Sequence, residues 1–128
     1  MTTTAIVSNV TLTAAGVDQS NISKLALQTG TQRVSLEALL TSSTPEPEKP
    51  CAVDIYYVNS TQDLTANAAA VNQLYRIAKK LSVSVPVAPS AVSAKIETFL
   101  AGGGFMYVWV NHATKSGTAT LTVNVNET

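Results

Sequence analysis

Chemistry needs titratable or nucleophilic side chains that converge, and this sequence offers few. It has one cysteine, Cys51, and one histidine, His112. A metal site needs several converging ligands, and these two stand on different elements with no third ligand spaced beside them. As a nucleophile and base they fare no better. Cys51 follows Pro50 and opens an apolar stretch, where a thiol behaves as an inert small hydrophobe. Glycoside hydrolysis requires two carboxyls roughly 5 Å or roughly 6.5–9.5 Å apart. Asp54 is the one charge in its apolar segment, and Glu37 and Glu97 lie on alternating polar faces. An outward Asp54, hydrogen-bonded to a neighbour, is the expectation. Gly102-Gly103-Gly104 lacks a following Lys-Ser/Thr and leads into a strand pattern, so it reads as a tight connection and not as a phosphate loop. The expectation is a protein that is not an enzyme, with no catalytic residue, cofactor or metal.

The aromatic residues carry more information. Tyr56, Tyr57, Phe105, Tyr107 and Trp109 are concentrated on two segments. They serve either as core or as a platform that stacks on sugar rings or anchors a protein interface, where Trp and Tyr are enriched.

The elements that must position these residues are strands. Phe105–Val110 is apolar on both faces, and Thr118–Asn126 alternates Ala119, Leu121, Val123 and Val125 with Thr and Asn. With a short Gly-containing loop between them, the pair reads as a β-hairpin. Six further segments read as strands: Ile6–Thr13, Ile22–Gln28, Arg33–Thr41, Ala52–Val58, Leu81–Val87 and Val92–Phe99. In the last, Val92, Ala94, Ile96 and Thr98 form the apolar face against Ser93, Lys95 and Glu97. One apolar and one polar face per strand is how sheets stack with their inner faces together. The fold expected is all-β and mainly antiparallel, an eight-stranded jelly-roll-like β-sandwich, with an immunoglobulin-like Greek key as the alternative. Between about 66 and 80, Val71, Leu74, Tyr75 and Ala78 follow the helical period. That predicts one short helix over a sheet edge, capped by Asp63 or Thr65 and ended by Lys79 and Lys80. Its rival is a crossover in which 74–78 pairs as a strand.

The chain of 128 residues, 1–128, reads as a single domain. It carries 12% charged residues and zero formal net charge, against about 25% charged in typical domains. Without clustered Lys and Arg it is not expected to bind nucleic acid. No apolar run reaches the roughly 20 residues that span a bilayer, so no membrane partner is expected. The start Met-Thr-Thr-Thr has no signal-peptide pattern, which implies synthesis in the cytoplasm. Weak like-charge repulsion favours self-association. Residues 1–4 read as a flexible N-terminal arm, and 44–50, with Pro45, Pro47 and Pro50, as a stiff surface loop.

Tyr107–Asn111 followed by Ala119–Glu127, the strand Val53–Ser60, and Tyr75–Ala78 leading into Ser82–Pro86 resemble small β-sandwich capsid cement, or decoration, proteins of tailed bacteriophages. The likeness implies a virion structural protein on the capsid exterior. It would bind the major capsid protein of the assembled head, bridge its subunits and act as a homo-oligomer, a dimer or trimer. The contact residues expected are Thr2, Thr3, Thr4, Pro45, Pro47, Pro50, Tyr107 and Trp109. The alternative is a carbohydrate-binding β-sandwich module of a phage tail or fibre, which would use the Tyr107–Trp109 face beside Asp54. The register of the closing hairpin decides whether that face is core or surface. In either register something must cover the second apolar face of Phe105–Val110: the helix, a second subunit or a partner.

Overall fold

A computed structural model describes residues 2–12, 22–42, 51–85, 91–114 and 119–128. Within them the chain forms eight strands and one short helix. In order these are β1 (Thr2–Leu12), β2 (Ser23–Ala26), β3 (Arg33–Ser42), β4 (Cys51–Ser60), α1 (Ala68–Leu74) with a 3-10 turn (Tyr75–Ile77), β5 (Lys79–Val85), β6 (Ala91–Leu100), β7 (Phe105–Thr114) and β8 (Ala119–Glu127). One sheet has the order β1-β8-β3-β6 and the other β2-β7-β4-β5. Every pairing is antiparallel. Consecutive strands thus alternate between sheets except at β4-β5, the arrangement of an eight-stranded jelly roll. The Greek-key alternative with its consecutive hairpins does not describe the chain.

Alternation builds the core. Val34, Leu36, Ala38 and Leu40 of β3 and Leu121, Val123 and Val125 of β8 face Val53, Ile55 and Tyr57 of β4, Leu81 and Val83 of β5, and Met106, Val108 and Val110 of β7. All are buried, and removing each Val or Leu side chain from water stabilises the fold by about 1.5–3 kcal/mol. The strand boundaries differ by only a few residues from those expected. The pairing departs from the expectation. Phe105–Val110 and Thr118–Asn126 form no hairpin: β7 pairs with β2 and β4, while β8 pairs with β1 and β3 in the opposite sheet. Each therefore lies inside its sheet, and β7 is apolar on both faces because a second buried cluster covers its outer one.

Three further expectations are corrected. Residues 2–4 are no free arm; they begin β1 and pair with Val125–Glu127, and the Thr3 hydroxyl lies 2.6 Å from Asn126 Oδ1. The helix is shorter than 66–80 and starts at Asn67, whose side chain accepts from the Ala70 N–H at 3.1 Å. Asp63 and Thr65 therefore do not cap it. Lys79 and Lys80 belong to β5, opposite Tyr57 and Tyr56, because the 3-10 turn ends the helical run three residues after Leu74. Finally, β6 is turned over. Pairing with β3 sets Phe99, Glu97 and Lys95 opposite Val34, Leu36 and Ala38, so these three share the core-facing side and Ala94, Ile96 and Thr98 face out. Phe99 stacking on Tyr57, with ring centroids 5.6 Å apart, holds that register.

Candidate functional site

The outer face of the β2-β7-β4-β5 sheet is half covered by the chain's own helix. In the first part of β7, Phe105, Tyr107 and Trp109 point away from the sandwich core. There Tyr107 and Trp109 meet Val58, Ile22 and the helical Ala70, Val71 and Leu74 in a second buried cluster, with Phe105, Leu64 and Tyr56 at its margin. Both Tyr107 and Trp109 are fully buried. The Tyr107 hydroxyl donates to the Gln62 carbonyl at 2.7 Å and accepts the Leu64 N–H at 2.6 Å, fastening the segment that leads into α1. Tyr107 and Trp109 are thus no surface platform or interface. Their aromatic row is a small second core, because α1 supplies the apolar cover inside the same chain. The Trp109 indole N–H has no hydrogen-bond partner among the described residues. From Trp109 a row of rings runs outward through Tyr56, 5.9 Å away, to the half-exposed Tyr75, stacked 5.6 Å from Tyr56. Burial raises the Tyr56 phenol above its ordinary value, and the neighbouring Tyr75 hydroxyl adds to the effect.

An open concavity lies where the 3-10 turn meets the β6-β7 connection. A cleft of about 340 Å³ is lined by Tyr57, Asn59, Ile77, Lys79, Phe99 and Leu100. A neighbouring one of about 540 Å³ shares Asn59, Ile77 and Gly102 with it and runs on to Gln62 and Gln73, so the two make one groove. Its rim carries two strongly exposed apolar side chains, Ile77 at 65% and Leu100 at 74%. Asn59 organises the floor: its Oδ1 accepts from Gly102 and Gly103 N–H at 2.7 and 3.0 Å, and its Nδ2 donates to the Gly103 and Phe105 carbonyls. The chain passes so close that a Cβ on Gly103 would sit 2.3 Å from the Ser60 carbonyl carbon and oxygen. The triple glycine is thus a tight connection, one that carries the chain from sheet to sheet. Tyr57 stands at the inner end of the groove with its phenol pushed up to about 12, chiefly by burial and then by the Glu97 charge and hydrogen bond. At neutral pH it is a neutral hydroxyl.

The remaining expected positions are scattered. Asp54 faces outward and accepts from the Ser82 hydroxyl at 2.7 Å, as expected. Glu37 accepts from Asn124 Nδ2 at 3.2 Å. Cys51 and His112 lie on β4 and β7, opposite Val85 and Asp54 respectively in backbone register. Pro45, Pro47 and Pro50 lie outside the described residues. Among the described residues no three His, Cys, Asp or Glu side chains gather to hold a metal ion, and no helix is long and apolar enough to cross a membrane. What the arrangement offers is contact: an apolar-rimmed groove with amide and hydroxyl groups at its base. Sequence reasoning missed Ile77, Leu100 and Asn59. Ile77 and Leu100 carried no signal, since exposed apolar residues look the same as core ones in a hydropathy pattern.

No protein-family model matches the chain, and no curated protein matches it in sequence.

Proposed function

We propose that this jelly roll is a virion structural protein, a capsid decoration protein that binds the exterior of an assembled phage head and bridges its major capsid subunits. The observation that carries this reading is the pair of exposed apolar side chains, Ile77 and Leu100, at the mouth of a groove on a neutral domain. Apolar side chains rimmed by polar groups mark protein contact surfaces, and zero net charge leaves apolar and hydrogen-bonding contact as the means of attachment. The mechanism is linkage. A protein that binds the assembled lattice and not the free subunit stabilises the shell by RT ln(1 + [L]/Kd), about 2.7 kcal/mol per site at a hundredfold excess over Kd. The contact surface moves from Tyr107 and Trp109 to the groove, because burial removes those two from reach.

The carbohydrate-binding alternative loses the same aromatic platform and rests on Tyr75 alone, half exposed and stacked on Tyr56. The test is to mix the purified protein with undecorated heads of the phage that carries its gene, then measure co-sedimentation and the temperature at which the heads open. Saturable binding and a higher opening temperature are expected, with Ile77→Asp weakening binding more than tenfold. Absence of saturable binding sinks the proposal. Glycan binding abolished by Tyr75→Ala would put the carbohydrate reading in its place.

A further inference from the structure

The four sheet edges are not equally protected. Strand edges expose unpaired backbone groups, and proteins blunt them with shortness, bulges, proline or charge. Strand β2 has four residues, β1 carries two register irregularities against β8, and β5 begins with Lys79 and Lys80. Strand β6 differs. It runs ten residues in unbroken register with β3, contains no proline, and among the described residues pairs on one side only. Its outward row shows exposed Ala94, Ile96 at 60% and Thr98. Its core-side row includes Lys95 and Glu97, both exposed at the margin of the sandwich, beside the stacked Phe99.

We infer that β6 is a self-recognition edge, which pairs antiparallel with β6 of a second copy about a two-fold axis through Ile96. The sequence around that residue is self-complementary. With Ile96 opposite itself, Lys95 of each copy meets Glu97 of the other, giving two reciprocal ion pairs on one face. On the other face Ile96 meets Ile96 and Ala94 meets Thr98. Opposite charges directly across an antiparallel pair are stabilising and like charges destabilising, so charge also selects the register. An axis at Lys95 would set Lys95 against itself, and one at Glu97 would do the same with the carboxylates. An inward-pointing Lys on an edge strand repels another copy in general, but here the Glu two residues on converts it into a lock for one partner, the same chain. The contact is isologous and closes at two subunits. It joins the two β1-β8-β3-β6 sheets into one continuous eight-stranded sheet. It concerns the isolated protein and is tested apart from the capsid proposal, although Phe99 and Leu100, which line the groove, belong to β6.

Sedimentation velocity of the full chain over a micromolar concentration range tests it. A monomer–dimer equilibrium is expected. Lys95→Glu or Glu97→Lys, each placing two like-charged pairs at the interface, should weaken it roughly 30-fold. The double variant Lys95→Glu/Glu97→Lys restores the pairs in reverse and should regain the dimer, with circular dichroism confirming the fold of each protein. In a Cys51→Ser background, Ile96→Cys should cross-link to a covalent dimer under air oxidation, because Cα atoms of directly opposed residues lie about 4.5–5.5 Å apart, within the range a disulfide spans. Thr98→Cys, which opposes Ala94, should not. A protein that stays monomeric, forms a trimer, or dimerises regardless of the charge reversals would overturn the inference.

Discussion

Replacing Tyr107 by Phe removes one oxygen from the second core and keeps its ring. That hydroxyl donates to the Gln62 carbonyl, with the Leu64 carbonyl a longer second acceptor at 3.5 Å, and accepts the Leu64 N–H. Each net hydrogen bond is worth about 0.5–1.5 kcal/mol, and a buried group left without a partner costs about 1–3 kcal/mol. Gln62 is exposed and Leu64 half-buried, so water can reach part of what is freed and the cost falls near the lower end, about 2 kcal/mol in all. For a domain between the 100- and 150-residue classes, each kcal/mol shifts Tm by about 3–5 °C, giving a drop of about 6–10 °C. The sequence contains a single tryptophan, Trp109, and it is fully buried in the same cluster, so its fluorescence reports unfolding of that region directly. Melts should be run at one protein concentration, because self-association would otherwise move Tm. Hydrogen exchange supplies the local readout, with the Leu64 amide losing protection in the variant before strands β3 and β8 do. A Tm within about 2 °C of the parent, together with an unchanged Leu64 exchange rate, would refute the claim that this hydroxyl holds the helical cover in place.

Two further outcomes follow from the same geometry. Gly103→Ala must displace the Ser60 backbone, 2.3 Å from the new Cβ, and should lower stability by about 1–3 kcal/mol. In urea titration its midpoint should fall, whereas Gly104→Ala, whose Cβ meets nothing within 4 Å, serves as the near-neutral control. Tyr57, with its phenol pushed up to about 12, remains protonated in the folded chain after the unfolded chain has begun to ionise near pH 10. Its contribution to stability is therefore complete below about pH 10 and is lost as pH rises toward 12. Ultraviolet difference titration should show a late-ionising tyrosine that disappears in Tyr57→Phe. Glu97→Gln should bring it lower while burial keeps it above its ordinary value; a titration complete by about pH 10.5 would contradict the burial of that phenol.

The strands and their faces were legible because alternation is a local property of the backbone. Val34, Leu36, Ala38 and Leu40 declare the inner face of β3 without reference to any other strand. Tertiary structure overrode that logic at β6, where the apolar row Ala94 and Ile96 faces out. An edge strand has a neighbour on one side only, and the stacking of Phe99 on Tyr57 outweighs the burial of a row at the sandwich margin. The closing segments show the same division. Two-sided apolarity in β7 declared that both its faces are covered, but a local pattern carries no information about which strand lies alongside. In a jelly roll consecutive strands mostly belong to opposite sheets, so proximity in sequence misled where a hairpin was expected.

The candidate site divides along the same line. The scarcity of groups that could converge was readable from the residues, since the chain has one Cys and one His. The surface it presents was not. Tyr107 and Trp109 resemble an interface in sequence and become core once α1 folds over them, while Ile77 and Leu100 resemble core and become the rim of the groove. Residue types and their periodicity determined that this chain would be an antiparallel β-sandwich with one helical insertion. Only the packed structure decided which apolar residues stay in water, because burial depends on what covers a side chain, and that cover comes from residues far away along the chain.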